Sequence, residues 1–282
     1  MASPSPSDAG NTAARDGVVD RLAAVYAGVF LSSAAATIAT AADGSNAFRV
    51  LALAGVALGV GTVSGLFLSR RVSPLSKRLG RSRRRRIGAL MPALPFAAVG
   101  LAAGLGRLPE VTGVVALLSG VAIAVTALAL TAVATTRYVD TVVGEPRATC
   151  RWTPPRRPVL DAALLVFWVL LAGINALGGD GLWAVVWAGL GVLWVVSGFV
   201  EGRLRPAGTG VEPELRVHDI GLVKRRPYTA ILVRWDDVDH ARLREGELVL
   251  ERGLFDVRFD RDDLEDPDAV LAASERFVDR IG

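Results

Sequence analysis

The sequence predicts an α-helical transmembrane bundle of six helices, followed by a small C-terminal β-rich domain that one helix closes. Two observations predict this fold class. Residues 1–202 hold nearly all the long apolar runs of a 282-residue chain that is 51% hydrophobic, with a mean hydropathy of +0.40. Shorter, alternating runs replace them in residues 203–282. A chain this apolar fits ordinary soluble composition only if its apolar residues are segregated, as they are here.

The chain divides into four predicted segments. Residues 1–18 are rich in Ser, Pro, Ala and Gly without an apolar period, which indicates a disordered N-terminal tail. Residues 19–202 form the six-helix domain, residues 203–210 a linker and residues 211–282 a cytoplasmic domain. Each of the six apolar runs is close to the ~20 residues that a spanning helix needs. The runs are Leu22–Ala42, Val50–Leu68, Ile87–Leu105, Val111–Thr136, Val159–Leu177 and Leu182–Val200.

Basic residues predict how the helices are oriented. The connection after the second run contains Arg70, Arg71, Lys77, Arg78, Arg81, Arg83, Arg84, Arg85 and Arg86. The connection over residues 137–158 and the exit from the sixth run are also rich in Arg, whereas the other three connections are short and poor in charge. Because Arg-rich short loops stay in the cytoplasm, we predict a multi-pass plasma-membrane protein with both termini cytoplasmic. The alternative, a cleaved signal peptide ending near Ala41, lacks a basic leader.

Small residues and prolines predict how the helices pack. The glycine pairs at a spacing of four let helix backbones approach closely. Pro92 and Pro95 predict a kink or a delayed start in the third spanning helix. The glycine pairs are Gly55/Gly59, Gly61/Gly65 and Gly100/Gly104.

The charge distribution argues against a nucleic-acid partner. The net charge is +8 over residues 1–202 and −4 over residues 203–282. The basic excess therefore lies beside the predicted membrane, where it sets orientation and meets anionic headgroups. The basic run also lacks aromatic residues for stacking on bases. Only Lys77 and Lys224 are lysines, and this use of Arg together with an acidic soluble part is typical of a high-GC prokaryote such as a halophilic archaeon.

Alternating hydrophobicity predicts five or six antiparallel strands between residues 215 and 260. A final helix begins with Asp266 as N-cap and Pro267 at the first helical position. Its apolar residues fall on one face, so we expect Phe277 to be buried opposite Trp235 in one core.

A resemblance to a known family adds to this prediction. The features that carry it are Gly221 after the first strand, the segment Trp235-Asp236-Asp237-Val238, a hairpin turn at Gly246 and a helix start at Asp266-Pro267. With these, residues 211–281 resemble the prokaryotic PH-like domains found in small membrane proteins. The resemblance implies a seven-stranded sandwich, so the domain is either truncated or takes an edge strand from the membrane part.

The same resemblance suggests a binding site. Basic residues in the corresponding part of eukaryotic PH domains hold phosphoinositide headgroups, and Lys224, Arg225 and Arg226 are similar to them in place and charge. The alternative is a solvated hairpin tip. We predict these three residues in the turn between the first strands, facing anionic lipid.

No motif for catalysis or for a metal or other cofactor emerges from the sequence. Cys150 is the single cysteine, and His218 and His240 are expected at surface strand positions. We therefore predict a non-enzymatic membrane-anchored binding or scaffolding module that acts on headgroups or on a membrane protein partner. The alternative is a transporter or permease component for an uncharged or lipidic substrate. The sequence does not indicate an oligomeric state.

Overall fold

The computed structural model describes residues 6–43, 46–71, 75–153, 158–204, 212–226, 228–244, 246–252 and 256–278. The chain divides into two compact units. The helical unit consists of Met1–Ala134 and Arg157–Ser197, and the sheet unit consists of Thr135–Arg156 and Gly198–Gly282. Residues 205–210 of the predicted linker lie outside the described part of the chain.

Six helices of the described chain are long and apolar enough to cross a bilayer, which confirms the predicted number and indicates a multi-pass membrane protein. Helix α1 begins at Pro6, so residues 6–18 of the predicted disordered tail are helical, while residues 1–5 lie outside the described residues. Helix α3 lies within the basic connection, whereas the short helix α4 begins there and continues through a 3₁₀ turn into α5, so that the third candidate span is Arg84–Gly104. The helices before the sheets are α1 (Pro6–Asp43), α2 (Ala47–Arg71), α3 (Leu75–Arg81), α4 (Arg83–Leu90), α5 (Leu94–Gly104), α6 (Glu110–Val142), α7 (Pro158–Leu177) and α8 (Gly181–Val200).

Glycines bring α1 and α2 into close contact. A Cβ atom at Gly61 would lie 2.8 Å from the Cα of Gly28, and one at Gly65 would lie 2.9 Å from the Cα of Ala24. The pair Gly61/Gly65 therefore packs as predicted, because only hydrogen fits between the two backbones. The pair Gly55/Gly59 faces open space in this chain.

Other contacts fix the remaining helices of the helical unit. A 3₁₀ turn over Met91–Ala93 separates α4 from α5 at the two prolines, as predicted. At the opposite end of α5–α6, the Glu110 carboxylate accepts a hydrogen bond from the Leu182 backbone N–H at 3.1 Å and so caps α8. The Trp187 ring stacks on Trp168 at 5.8 Å, which gives one of the three tryptophans of α8 a role in helix packing.

The sheet unit contains two antiparallel sheets in its described residues. One has four strands in the order β1-β2-β3-β4, and the other has three in the order β5-β6-β7. Helix α9 (Pro267–Val278) follows, and the Asp266 carboxylate caps it by accepting the Ala269 N–H at 2.9 Å, as predicted. The strands are β1 (Ala148–Arg151), β2 (Glu214–His218), β3 (Gly221–Arg225), β4 (Ala230–Arg234), β5 (His240–Arg244), β6 (Glu247–Glu251) and β7 (Val257–Asp260).

Strand β1 comes from the chain between the fourth and fifth apolar helices. It pairs with β2 in the register Ala148↔Val217 to Arg151↔Glu214, so helices α7 and α8 are inserted between two neighbouring strands of one sheet. Of the two alternatives for a seven-stranded domain, the structure has the second, a borrowed edge strand. The predicted domain boundary at residue 211 therefore differs from the observed one, because residues 135–156 belong to the sheet unit.

The core of the sheet unit lies between the two sheets. Trp235 is buried there, and its indole N–H donates to the His218 carbonyl at 2.8 Å. Cys150 and Trp152 extend the same core from the β1 segment. The side chain of Phe277 lies outside the described residues, so its predicted burial stays a prediction.

The outer face of the four-stranded sheet is covered by the end of α6. Val139 packs there against Val223 and Ala230, with Tyr138 and Val143 beside it. Helix α6 continues six residues beyond the predicted end of its apolar run because these last turns have an apolar side to bury.

Candidate functional site

The three predicted headgroup-binding residues lie where β3 ends. Lys224 and Arg225 are the last two residues of β3, and Arg226 begins the turn to β4. The backbone N–H of Arg226 donates to the Thr229 carbonyl at 2.7 Å, which closes this turn. The prediction that all three lie in a turn is wrong for Lys224 and Arg225, because the ladder with β4 continues to Arg225↔Ala230.

Lys224 folds onto aromatic side chains. Its Nζ lies 4.1 Å from the centroid of the Trp152 ring and 4.9 Å from that of Phe259. The two rings meet edge to face, with centroids 5.7 Å apart. Strand alternation places Lys224 on the same face as the buried Leu222, so its ammonium group lies at the border of the core rather than at an exposed tip.

Burial changes the protonation of Lys224. It lowers the pKa of the ammonium group to about 8, and the neighbouring Arg226 guanidinium lowers it in the same direction. The two rings offset part of this cost, since an ammonium group over an aromatic face is stabilised by about 0.5–2 kcal/mol. Lys224 is therefore still mainly a cation at neutral pH.

Arg226 joins the same group of side chains. Its guanidinium carbon lies 5.3 Å from the Trp152 centroid, and its aliphatic part packs against Gly202. Gly202 has a φ of +72°, and a Cβ there would lie 3.2 Å from the Arg226 Cδ. We call Trp152, Lys224, Arg226 and Phe259 the Trp152 cluster.

Arg225 points to the other face of the sheet. Its guanidinium forms a 2.9 Å ion pair with Asp140, near the end of α6. The three consecutive cations therefore do not form one surface: two belong to the Trp152 cluster and the third is neutralised by a carboxylate. Alternation along β3 predicts that Arg225 points away from the face that holds Lys224. Its partner Asp140 lies 85 residues away in sequence, so no local pattern indicates the ion pair.

The turn from β3 to β4 is attached to two helix ends within the sheet unit. The Thr229 hydroxyl donates to the Val200 carbonyl at 2.9 Å, at the end of α8. The Ala230 N–H donates to the Thr136 hydroxyl at 3.1 Å, near the end of α6. Arg226 of the Trp152 cluster thus begins the turn that contacts the last parts of α6 and α8. No motif in the sequence indicates these contacts of Thr136 and Thr229.

The basic connection contains helical structure, in α3 and the start of α4. Arg71 ends α2, with its guanidinium carbon 4.3 Å from the Phe67 centroid, and Arg85 donates to the Arg78 carbonyl at 3.3 Å. Arginine and lysine are good helix formers, which accounts for α3 and α4 in this stretch. The side chains of Arg78, Arg81, Arg84 and Arg85 are exposed and that of Arg86 is half-buried, while those of Arg70, Lys77 and Arg83 lie outside the described residues.

The two histidines differ from each other. His240 is exposed on β5, as predicted, but His218 at the end of β2 is only 3% exposed, so its predicted surface position is wrong. Burial lowers the pKa of His218. The outer face of β2 is covered by chain from the α6–β1 connection, which strand alternation alone does not reveal.

The acidic residues between Asp256 and Asp268 serve local structure. Asp260 accepts the Asp262 N–H at 3.1 Å, and Arg261 pairs with Asp268 at 3.0 Å. Burial, with Asp260 and Asp262 nearby, raises the pKa of Asp263. Across the described residues, no group of three or more His, Cys, Asp or Glu side chains is arranged to hold a metal ion. Comparisons with protein-family models, with curated proteins and with solved structures gave no match to this chain.

Proposed function

We propose that the protein is a multi-pass membrane protein whose sheet unit is a PH-like, non-enzymatic binding module for anionic lipid headgroups. The observation that carries this proposal is the position of the Trp152 cluster, beside the ends of α6 and α8. Two sheets of four and three strands with a C-terminal helix support the PH-like assignment. The alternating basic connections support cytoplasmic termini.

The charges of the cluster suit a domain that helices already hold at the membrane, rather than one that binds the membrane from solution. Arg225 is paired with Asp140, so the proposal assigns headgroup contact to the other two cations, Lys224 and Arg226. Each contributes about 1 kcal/mol near an anionic surface at ordinary ionic strength, which gives roughly 2 kcal/mol in total. This is enough to orient a domain that helices already hold at the bilayer, and too little to recruit a free domain. The net charge of −4 over residues 203–282 opposes any other approach to anionic lipid.

The test uses the full chain in nanodiscs of anionic or zwitterionic lipid. Hydrogen exchange over residues 224–230 is expected to be slower in anionic discs, and 0.5 M salt should remove the difference. The double variant Lys224→Met/Arg226→Ser should show no difference between the lipids. The matched control is Arg258→Ser, an exposed cation on β7 that should leave the difference intact. Equal protection in both lipids would reject headgroup binding and favour a protein partner.

A second function is favoured by one observation in the helical unit. A cavity of 230 Å³ between α5, α6 and α8 is lined by apolar residues, including Ala97, Leu117 and Gly189. Such a cavity suits a lipidic substrate and not an ion, which supports the transport alternative in its lipid form. Lipid flux in proteoliposomes should then fall when Gly189→Leu fills the cavity. Flux no higher than in protein-free vesicles would reject this function.

A further inference from the structure

His218 is an unusual buried group in the sheet unit. Both ring nitrogens are buried without a hydrogen bond in the described part of the chain. The backbone of Gly144 and Glu145, in the connection between α6 and β1, lies next to the ring. These backbone groups favour the imidazolium form, but without hydrogen-bond geometry they do not balance the cost of burying a charge.

The connection that covers His218 also holds the edge strand. Arg147 and Asp219 form a two-pronged ion pair, with both N···O distances 2.9 Å, between this connection and the turn after β2. Strand β1 follows at once and carries Cys150 and Trp152 into the core. Release of the connection would therefore release β1 and, with it, the ring on which Lys224 and Arg226 lie.

We propose that His218 is an acid-sensitive latch that holds the α6–β1 connection and strand β1 on the sheet. Neutral imidazole is compatible with burial, so the connection stays closed at neutral pH. Protonation places a charge in the buried site, and opening the connection hydrates that charge. The inference is independent of what the Trp152 cluster binds.

The surrounding charges do not cancel this effect. Arg216, on β2, lowers the pKa of His218 further, and it is itself paired with Glu214 at 2.7 Å. Asp219 acts in the opposite direction but is engaged by Arg147. Glu145 is exposed on the connection, and Arg276, on α9, lines the same groove as Arg147 and Asp219.

The reactivity of the Cys150 thiol can be used to measure this opening. Cys150 is the single cysteine, it is 4% exposed, and its sulfur accepts a hydrogen bond from the Asp266 N–H at 3.3 Å. We suggest labelling the full chain in nanodiscs with 4,4′-dithiodipyridine, which reacts with thiols in acid. The labelling rate is divided by that of the denatured chain at the same pH, which removes the effect of thiol ionisation.

Between pH 7.5 and pH 5 the normalised rate should rise, by up to about 30-fold if His218 ionises only in the open state with an ordinary pKa near 6.5. His218→Gln and His218→Phe should both abolish the rise. A variant counts as a test if it labels slowly at pH 7.5, which shows that its connection is closed at that pH. The matched control is His240→Gln, which should keep the full rise because His240 is exposed. A flat response in the unchanged protein, or a rise that survives loss of His218, would overturn the latch.

A second thiol separates the latch from unfolding of the whole unit. In Cys150→Ser/Val233→Cys, the thiol lies on β4, at the opposite edge of the same sheet, where Val233 is 4% exposed. Its normalised rate should not change between pH 7.5 and pH 5. An equal rise at both positions would show general unfolding and would reject the proposal.

Discussion

The borrowed strand predicts that residues 203–282 do not fold alone. Cys150 and Trp152 are 4% and 3% exposed in the core, and removing β1 would also uncover Leu215 and Val217 on β2. Loss of one buried Trp side chain costs about 3–5 kcal/mol. Each newly exposed Leu or Val costs about 1.5–3 kcal/mol more. The sum, roughly 6–11 kcal/mol, is comparable to the whole 5–15 kcal/mol stability of an average domain.

The assay compares two soluble chains. One is residues 203–282, and the other joins residues 135–153 to residues 212–282 through a short Gly/Ser linker in place of α7 and α8. The ends are close, because the Trp152 N–H donates to the Pro213 carbonyl at 3.1 Å. We expect cooperative urea unfolding, followed by tryptophan fluorescence, only for the joined chain. Trp152→Ala should destabilise it by about 3–5 kcal/mol. Equal cooperative unfolding of both chains would refute the argument.

Three further predictions concern single residues. Gly61→Leu should lower the unfolding free energy in detergent by about 1–3 kcal/mol, because its side chain meets the backbone of α1, whereas Gly59→Leu faces open space and should change it by less than about 0.5 kcal/mol. The unfolding free energy of the sheet unit should rise between pH 8 and pH 10.5, because only the unfolded chain keeps the Lys224 proton in this range. The rise should be at most about 3 kcal/mol after allowance for solvent screening. Lys224→Met should flatten it, and a rise that persists in this variant would contradict the lowered pKa of Lys224. Glu110→Ala should cost about 1 kcal/mol in thermal unfolding through loss of the α8 cap, and an unchanged Tm would show that the cap is not needed.

The spanning helices were predictable because bilayer thickness imposes a long, uniform apolar signal. The six runs match six observed helices, and Pro92 and Pro95 mark the break before α5. Likewise, the start of α9 follows from Asp266 and Pro267, since capping is a local interaction. Each of these features depends on residues close together in the chain.

The missed features depend on partners far apart in sequence. Strand β1 has four residues, and its partner β2 follows only after two apolar helices. Short segments without a nearby turn partner give no usable periodicity. The burial of His218 and the ion pair of Arg225 were missed for the same reason. Both depend on residues 135–147, which cover the sheet but precede the two inserted helices in sequence. The geometry of the three basic residues was thus not predictable from the sequence, and their role in headgroup binding stays a prediction.

The insertion of α7 and α8 between two paired strands has a consequence for synthesis of the protein. About sixty residues separate β1 from β2, so at ~5–20 residues per second β1 waits roughly 3–12 s for its partner to be made. During that time its edge is unpaired, while α7 and α8, both long and apolar enough to cross a bilayer, are being made. In a membrane-spanning protein, if only one of them crossed, β1 and β2 would emerge on opposite faces of the bilayer, and the sheet would not form. Closure of the sheet would then require complete insertion of the last hairpin.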